Sequence, residues 1–548
     1  MTSSPVITNF TTTEAEGTKK FVRANDEHHV NKHITSILPI GCSQPDEFDA
    51  LSKLNPYSVP KWKKIGNLLA AGTIFGFAAL KPILIKDGVY RNLCSDSEIE
   101  HGVNVCFYQE TRLNLMFTTA AVGTNVAALP VGAILDKYGP RICGIISSML
   151  LVMGALSFAY GNELPYDGYF SGYLFLAIGG PFSFIPCLQL SNIFPQHSGL
   201  IMALLTGGFD CSSAVFLIYR ILYESSGGIF GPSKFFLAYL VVPIFIISTQ
   251  LSIMPNPSPQ SNQQLLRKAQ CLTGLDNQLG EDTALLGSEG PDTQPVVADV
   301  TVPRSVDEEI TKEERKNRIS GVWGALHGKT SKQQIISPWF ILITIFTAIQ
   351  MTRINYFVAT IRSQYEFILG SYEEAVTINK FFDAALPLGG ILAIPFIGIV
   401  LDNTSTTFAL TALITMVTII GGLGCLPYTW AAYSNVCLFV LCRPFYYTLI
   451  SDFAAKVFGF KTFGTVYGLS ISIAGLFNFT ANWLDAIRHS VFHEDPLPIN
   501  LLLLVVSLTV GAATCIFVGC QSRKMRDIRD NSPATIDVDF DLENSYRT

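Results

Sequence analysis

An all-α membrane protein, with twelve transmembrane helices in two six-helix bundles, is the fold class that three observations predict. Only 15% of the 548 residues are charged while 49% are AVILMFWYC, against the roughly 25% charge of a soluble domain. Apolar runs of about twenty residues recur along the chain, each long enough for a helix to cross a hydrocarbon core roughly 30 Å thick, and mean hydropathy is +0.36. The short pattern Gly132-Ala-Ile-Leu135-Asp136 returns six runs later as Gly398-Ile-Val-Leu401-Asp402, the spacing expected of two parallel halves.

The elements follow in order. Residues 1–60 carry no apolar run and read as a polar cytoplasmic tail, so the first span is expected to act as an uncleaved anchor. Six spans fill 61–254: Ile65 to Ile85, Leu113 to Leu135, Ile142 to Tyr160, Tyr169 to Phe194, Ser198 to Leu222, and Phe235 to Met254. Residues 255–335, rich in Ser, Thr, Asn, Asp and Pro, read as a flexible cytoplasmic linker. Six more spans fill 336–520: Trp339 to Ile361, Ala375 to Leu401, Thr407 to Leu426, Trp430 to Phe453, Phe463 to Ala486, and Ile499 to Val518. Residues 521–548 form a second polar tail. The flanks holding Lys61, Lys63, Lys64, Lys137, Arg141, Lys329, Lys332, Lys456 and Lys461 are richer in Lys and Arg than the opposite flanks. The positive-inside rule therefore puts both termini and the linker in the cytoplasm.

Charge and cysteine content exclude several classes. Lys and Arg total 37 against 43 Asp and Glu, a net charge of −6 that offers no electrostatic footprint for nucleic acid. Most of the 12 cysteines lie inside apolar runs as small packing residues. Cys94 and Cys106 fall together in the external loop between the first two spans, where a disulfide or a coincidence of placement are both open. His489 and His493 stand four apart without further ligands nearby, so neither a metal nor another cofactor is expected. No catalytic motif stands in a suitable context, which argues against an enzyme.

The sharpest motif, Gly132-Ala-Ile-Leu-Asp136-Lys-Tyr-Gly139-Pro-Arg141, sits in the turn between the second and third spans. Gly132 allows a neighbouring helix to approach, Gly139 and Pro140 make the turn, and Asp136 can accept from a helix N-terminus or pair with Arg141. It resembles the loop signature of the major facilitator superfamily, and the resemblance implies a latch on one conformational state. The second copy keeps only Asp402, because Asn403-Thr-Ser-Thr-Thr replaces the Gly and Arg. Phe75-Gly-Phe, Lys86-Asp-Gly-Val-Tyr, Leu113-Asn-Leu-Met-Phe-Thr118, Arg353-Ile-Asn-Tyr-Phe-Val-Ala-Thr360 and Arg443-Pro-Phe-Tyr-Tyr resemble the L-type amino-acid facilitators, solute carrier family 43, with wording nearest a fungal branch. That resemblance covers both bundles and implies facilitated uniport of neutral amino acids or, in one branch, of purine nucleobases.

Ionisable groups at membrane depth are costly and mark solute pathways. The sequence places Lys81, Asp210, Arg353, Lys380, Asp383 and Arg443 there. Asp210 and Arg443 fall near the midplane in opposite halves. Lys380 and Asp383 share a helix face, as a structural ion pair or as site residues. Lys81 is close enough to the outer end to snorkel. Gly72 and Gly76, Gly179-Gly180-Pro181, Gly207-Gly208 and Pro387-Leu-Gly389-Gly390 either free backbone groups for a solute or allow close helix packing.

These residues predict a transporter that moves a small polar solute, most readily a neutral amino acid, by alternating access. Arg443 or Arg353 would take the carboxylate, Asp210 or backbone carbonyls the ammonium, and Phe75, Tyr356 and Tyr446 would shape the side-chain pocket. Proton coupling through Asp210 or Asp383, a nucleobase carrier, and a nutrient sensor signalling through the long linker are the alternatives. The expected partners are the solute and the lipid bilayer, the expected unit a monomer, and the expected location the plasma or vacuolar membrane.

Overall fold

With no water in the hydrocarbon core to take up a free N–H or C=O, a spanning chain closes its backbone hydrogen bonds within helices. The computed structural model describes residues 70–95, 106–193, 197–252 and 313–531, and every regular element among them is helical. Residues 70–252 and 316–531 belong to one compact unit.

The first span passes through a 3-10 turn at Thr73–Gly76 into α1 (Phe77–Lys86). α2 (Phe107–Ala159) supplies the second and third spans, interrupted only at Gly139, where φ is 80° and ψ 175°. That left-handed φ suits a residue with no Cβ, so the turn expected around Asp136 to Arg141 is compressed into a one-residue break. α3 (Gly168–Leu188) is the fourth span, and the Asp167 carboxylate caps it by accepting from the Phe170 N–H at 2.9 Å. The fifth span is divided at Ser213 into α4 (Ser198–Ser212) and α5 (Ala214–Ser225). There the Ser212 and Ser213 hydroxyls donate back to the carbonyls of Phe209 and Asp210, a local bond that competes with a straight helix. The sixth span is divided likewise into α6 (Pro232–Tyr239) and α7 (Val241–Ser252), with Pro243 unable to donate to the ladder.

In the second half, α8 (Ser331–Ile336) opens with a Thr330/Gln333 capping box. α9 (Pro338–Leu369), α10 (Tyr372–Asn403), α11 (Thr406–Leu423) and α12 (Thr429–Phe458) are the seventh to tenth spans. Ser337, Ser371 and Ser405 cap the first three of these through their hydroxyls. The eleventh span is α13 (Phe463–Phe477) followed by α14 (Thr480–Ser490), and the twelfth is α15 (Leu497–Asn531).

One open alternative is decided and two expectations need correction. The glycine and proline clusters at Gly179-Gly180-Pro181, Gly207-Gly208 and Pro387 to Gly390 do not interrupt α3, α4 or α10. Their glycines other than Gly208 serve close packing: a Cβ on Gly180 would stand 2.2 Å from the Ala71 carbonyl oxygen, and one on Gly389 1.7 Å from a Val440 methyl. The linker expected over 255–335 is anchored at its end. Gly324 and Leu326 donate to the carbonyls of Lys456 and Val457, and the Gln334 amide donates to Leu326 and Phe458, around buried Val322 and Leu326. α15 continues past Cys520 to Asn531, so the stretch expected as a polar tail from 521 begins as helix. Residues 1–60 and 532–548, and the linker before Glu313, lie outside the described residues.

The halves meet along two seams, α13 against the first part of α2, and α4 against α10. α5, beyond the Ser213 break, packs instead on α1 and the Thr73–Gly76 turn. The closed seams therefore run from the Asp136/Asp402 end of the molecule to about the level of Asp210.

Candidate functional site

Each seam is fastened by a carboxylate. Asp136 at the break in α2 accepts from the backbone N–H groups of Gly464 (2.9 Å) and Thr465 (2.6 Å) at the start of α13. Asp402 at the end of α10 accepts from Gly199 (2.8 Å) and Leu200 (3.1 Å) at the start of α4. Each carboxylate of one half thus satisfies unpaired N–H groups of a helix of the other half, at the positive end of its dipole. Gly132 permits the approach, since a Cβ there would lie 1.8 Å from the Gly464 carbonyl oxygen. Arg141 donates to the Leu251 carbonyl at 3.0 Å, holding the third span to the sixth.

The Asp402 fastening has a third member that sequence reasoning missed. The Lys316 ammonium donates to Asp402 Oδ1 and, at 2.9 Å, to Ser198 Oγ. Burial pulls the Lys316 ammonium below the usual lysine range, against the pull of Asp402 in the other direction. No signal marked Lys316, because it stands in a polar segment read as linker. Beside it, Lys456 pairs with Asp452 at 2.6 Å, an i, i+4 contact on α12.

Further along the molecule, Asp210 of the first half and Arg443 of the second form an ion pair at 2.7 Å, with side chains 4% and 13% exposed. The Arg443 guanidinium also lies 5.6 Å from the centre of the Tyr447 ring. Phe209, next to Asp210, meets Phe75 of the first span and Phe184 of α3, with ring centres 5.7 and 4.9 Å apart. The structure thus joins Asp210 and Arg443 between the halves, while Phe75 packs on Phe209 within the first half.

The other candidates are placed elsewhere. Lys380 and Asp383 do not form the expected pair: Asp383 accepts from Asn379 at 3.1 Å, one helical turn away, and the Lys380 side chain is exposed. Lys81 reaches Glu110 (2.7 Å) and Asn114 (3.0 Å) on α2. Tyr446 is buried and its hydroxyl donates to the Thr347 carbonyl at 2.8 Å. Arg353 points into the second bundle, where one nitrogen donates to the Val417 carbonyl of α11 at 2.8 Å. A cavity there is lined by Arg353, Tyr356 and Tyr446 and touches Arg443 at its edge.

At the opposite end from the fastenings, Cys94 and Cys106 are joined in a disulfide, their Cα atoms 5.6 Å apart. The segments on either side of the disulfide are tied to the start of the fourth span: the Tyr90 hydroxyl donates to Asp167, and Arg112 of α2 pairs with Asp167 at 2.9 Å. Burial and the neighbouring Asp167 charge push the Tyr90 phenol above its ordinary range.

Comparison with known proteins covers nearly the whole described region. Residues 65–482 match the model of the Major Facilitator Superfamily. The chain is 44% identical to Protein FMP42 of Saccharomyces cerevisiae over 83% of this chain and 93% of that one. It is 23% identical to Equilibrative nucleobase transporter 1 of Bos taurus (80% and 91% covered) and 22% identical to Large neutral amino acids transporter small subunit 3 of Mus musculus (85% and 94% covered). Among solved structures it is similar in fold to the proton:xylose symporter XylE, with a TM-score of 0.53 at 12% identity, covering 84% of this chain and 94% of that one.

Proposed function

Because the chain belongs to the Major Facilitator Superfamily, and so is a multi-pass membrane transporter that takes a small molecule across the bilayer, we propose that it carries neutral amino acids by facilitated uniport through alternating access. The observation that supports this cargo most directly is the buried Asp210–Arg443 pair, one charge from each half. A zwitterion offers the complementary pair of charges. Its carboxylate can take Arg443 and its ammonium Asp210, so that one ion pair is exchanged for two without a net charge entering the membrane. Phe209, next to Asp210 in the chain, packs with Phe75 and Phe184, and this aromatic cluster would favour a large apolar side chain. The mouse relative, which transports large neutral amino acids by name, supports the same class.

In this reading the halves, 61–254 and 336–520, rock about Asp210 and Arg443, and the end fastened by Asp136 and Asp402 is cytoplasmic. The lysines and arginines Lys137, Arg141, Lys329, Lys332, Lys456 and Lys461 stand at or beside that end. A nucleobase carrier is the second reading, carried by the bovine relative. Uptake into liposomes holding the purified chain separates the two. Labelled leucine should enter and be displaced by unlabelled large neutral amino acids, with adenine without effect; the reverse pattern overturns the proposal.

A further inference from the structure

Arg353 stands halfway along α9, inside the second bundle and away from the seams. Its Nη2 donates to the Val417 carbonyl and lies close to Gly421, where a Cβ would come within 2.6 Å of it. The other terminal nitrogen, Nη1, is fully buried and has no hydrogen-bond partner. No carboxylate among the described residues pairs with Arg353, and Cys442, which shares its cavity, is a free cysteine. Its counterpart Arg443 has a carboxylate at 2.7 Å. A buried guanidinium without counter-charge is among the most costly arrangements a membrane protein can hold.

The cavity that Arg353 lines runs between α9, α11, α12 and α15 and carries several polar side chains among apolar ones. Gln350, Asn435 and Asn500 line it with Arg353 and Arg443, together with apolar residues such as Phe439 and Leu503. The side-chain oxygen of Asn435 is buried there without a partner, although its amide nitrogen donates to Tyr365 at 2.8 Å. Residues from the first half do not contribute to this lining. The cavity is therefore lined by one bundle only, and it shares Arg443 with the Asp210 pair.

We propose that this cavity is a binding site for a monovalent anionic group, which the Arg353 guanidinium neutralises through Nη1. The group can come from two sources with the same chemistry, a free inorganic anion such as chloride or the carboxylate of a small solute. Bound there, it would hold α9, α11 and α12 together by compensating a guanidinium that has no counter-charge among the described residues. The free-anion case does not depend on the cargo proposed above.

The test uses the full chain in lipid nanodiscs. Chloride or bromide is exchanged for gluconate at constant ionic strength while thermal unfolding is followed, and leucine and leucinol are titrated separately. For a free anion, chloride raises the Tm of the wild type saturably by about 2 °C or more, and Arg353→Gln loses the rise. For a solute carboxylate, leucine raises the Tm, leucinol does not, and the leucine effect disappears in Arg353→Gln. The proposal is overturned if neither ligand shifts the Tm, or if the shifts persist in Arg353→Gln; a leucine shift that persists leaves the Asp210–Arg443 reading standing. Should Arg353→Gln fail to fold, anomalous scattering from wild-type crystals grown in bromide or with 4-iodophenylalanine decides. A peak beside Arg353 Nη1 supports the site, and its absence with both overturns it.

Discussion

An arginine at membrane depth needs a partner, and Arg443 finds one 233 positions earlier in the chain, at Asp210. Leaving one member of a buried pair uncompensated costs about 3–5 kcal/mol. Asp210→Asn is therefore expected to lower stability by an amount of that order, and Asp210→Asn with Arg443→Gln to recover part of it without recovering transport. Denaturation of the purified variants checks both, and a double variant no more stable than the single one would show that the pair is not the source of the loss. Arg443→Lys keeps the charge but not the planar fork that holds a carboxylate at two points. It should fold and lose at least about tenfold in leucine uptake, which corresponds to about 1.4 kcal/mol. Wild-type uptake by a folded Arg443→Lys chain would remove Arg443 from the solute path. Both residues were legible in the sequence as ionisable groups inside apolar runs. Their pairing was not, because it depends on how two separately folded halves meet, and the sequence reading set Arg443 and Asp210 at opposite ends of the solute instead.

At the scale of elements, the seam between α2 and α13 rests on a defect and its repair. Pro130 has no N–H, so the Val126 carbonyl one turn before it loses its helical partner. The Ser472 hydroxyl, from the other half, donates to Val126 at 3.1 Å and to Asn125 at 3.0 Å, and accepts from the Leu129 N–H at 3.0 Å. Gly464, Gly468 and Gly475 lie along the same face of α13. A Cβ on Gly468 would stand 2.2 Å from the Ala128 carbonyl oxygen. Gly468→Val is expected to disfavour the closed seam by about 1–3 kcal/mol through overpacking, and Ser472→Ala by about 1–3 kcal/mol through the unsatisfied carbonyls. Spin labels at Lys137 and Lys461, exposed on opposite sides of this seam, should then report a longer distance in a larger fraction of molecules; an unchanged distribution would show that the seam does not set the balance. The spans themselves were legible from the length of their apolar runs. The breaks at Ser213 and after Phe477 were not, because glycine and proline signal a break and close packing alike, and here packing against Ala71, Val440 and Asp210 decides. The anchored end of the linker was hidden for a related reason: three buried apolar residues, Val322, Ala325 and Leu326, in a polar stretch are too few to register as an element.

At the scale of the whole molecule, the two fastenings make the closed end a matter of two carboxylates and four backbone N–H groups. Hydrogen bonds to a charged group contribute about 1.5–3 kcal/mol each, and an Asn side chain can replace only a neutral part of that. A change of 1.4 kcal/mol alters the ratio of closed to open molecules tenfold, so losing either charge is enough to displace an equilibrium that the carrier must cross in both directions. Asp136→Asn and Asp402→Asn should each lower transport while leaving solute affinity nearly unchanged, because neither residue lies in the region around Asp210. They differ in one respect. Asp402 also neutralises Lys316, so Asp402→Asn leaves that ammonium buried without its partner, and the larger loss is expected there. Lys316→Gln combined with Asp402→Asn should return part of the loss, whereas Lys316→Gln should do nothing for Asp136→Asn, since the two fastenings share no residue. Leucine uptake and leucine binding measured on the same preparations carry the decision: equal loss of both in well-folded Asp136→Asn would mean that the carboxylate supports the solute site itself, and the account of it as a fastening between halves would have to be given up.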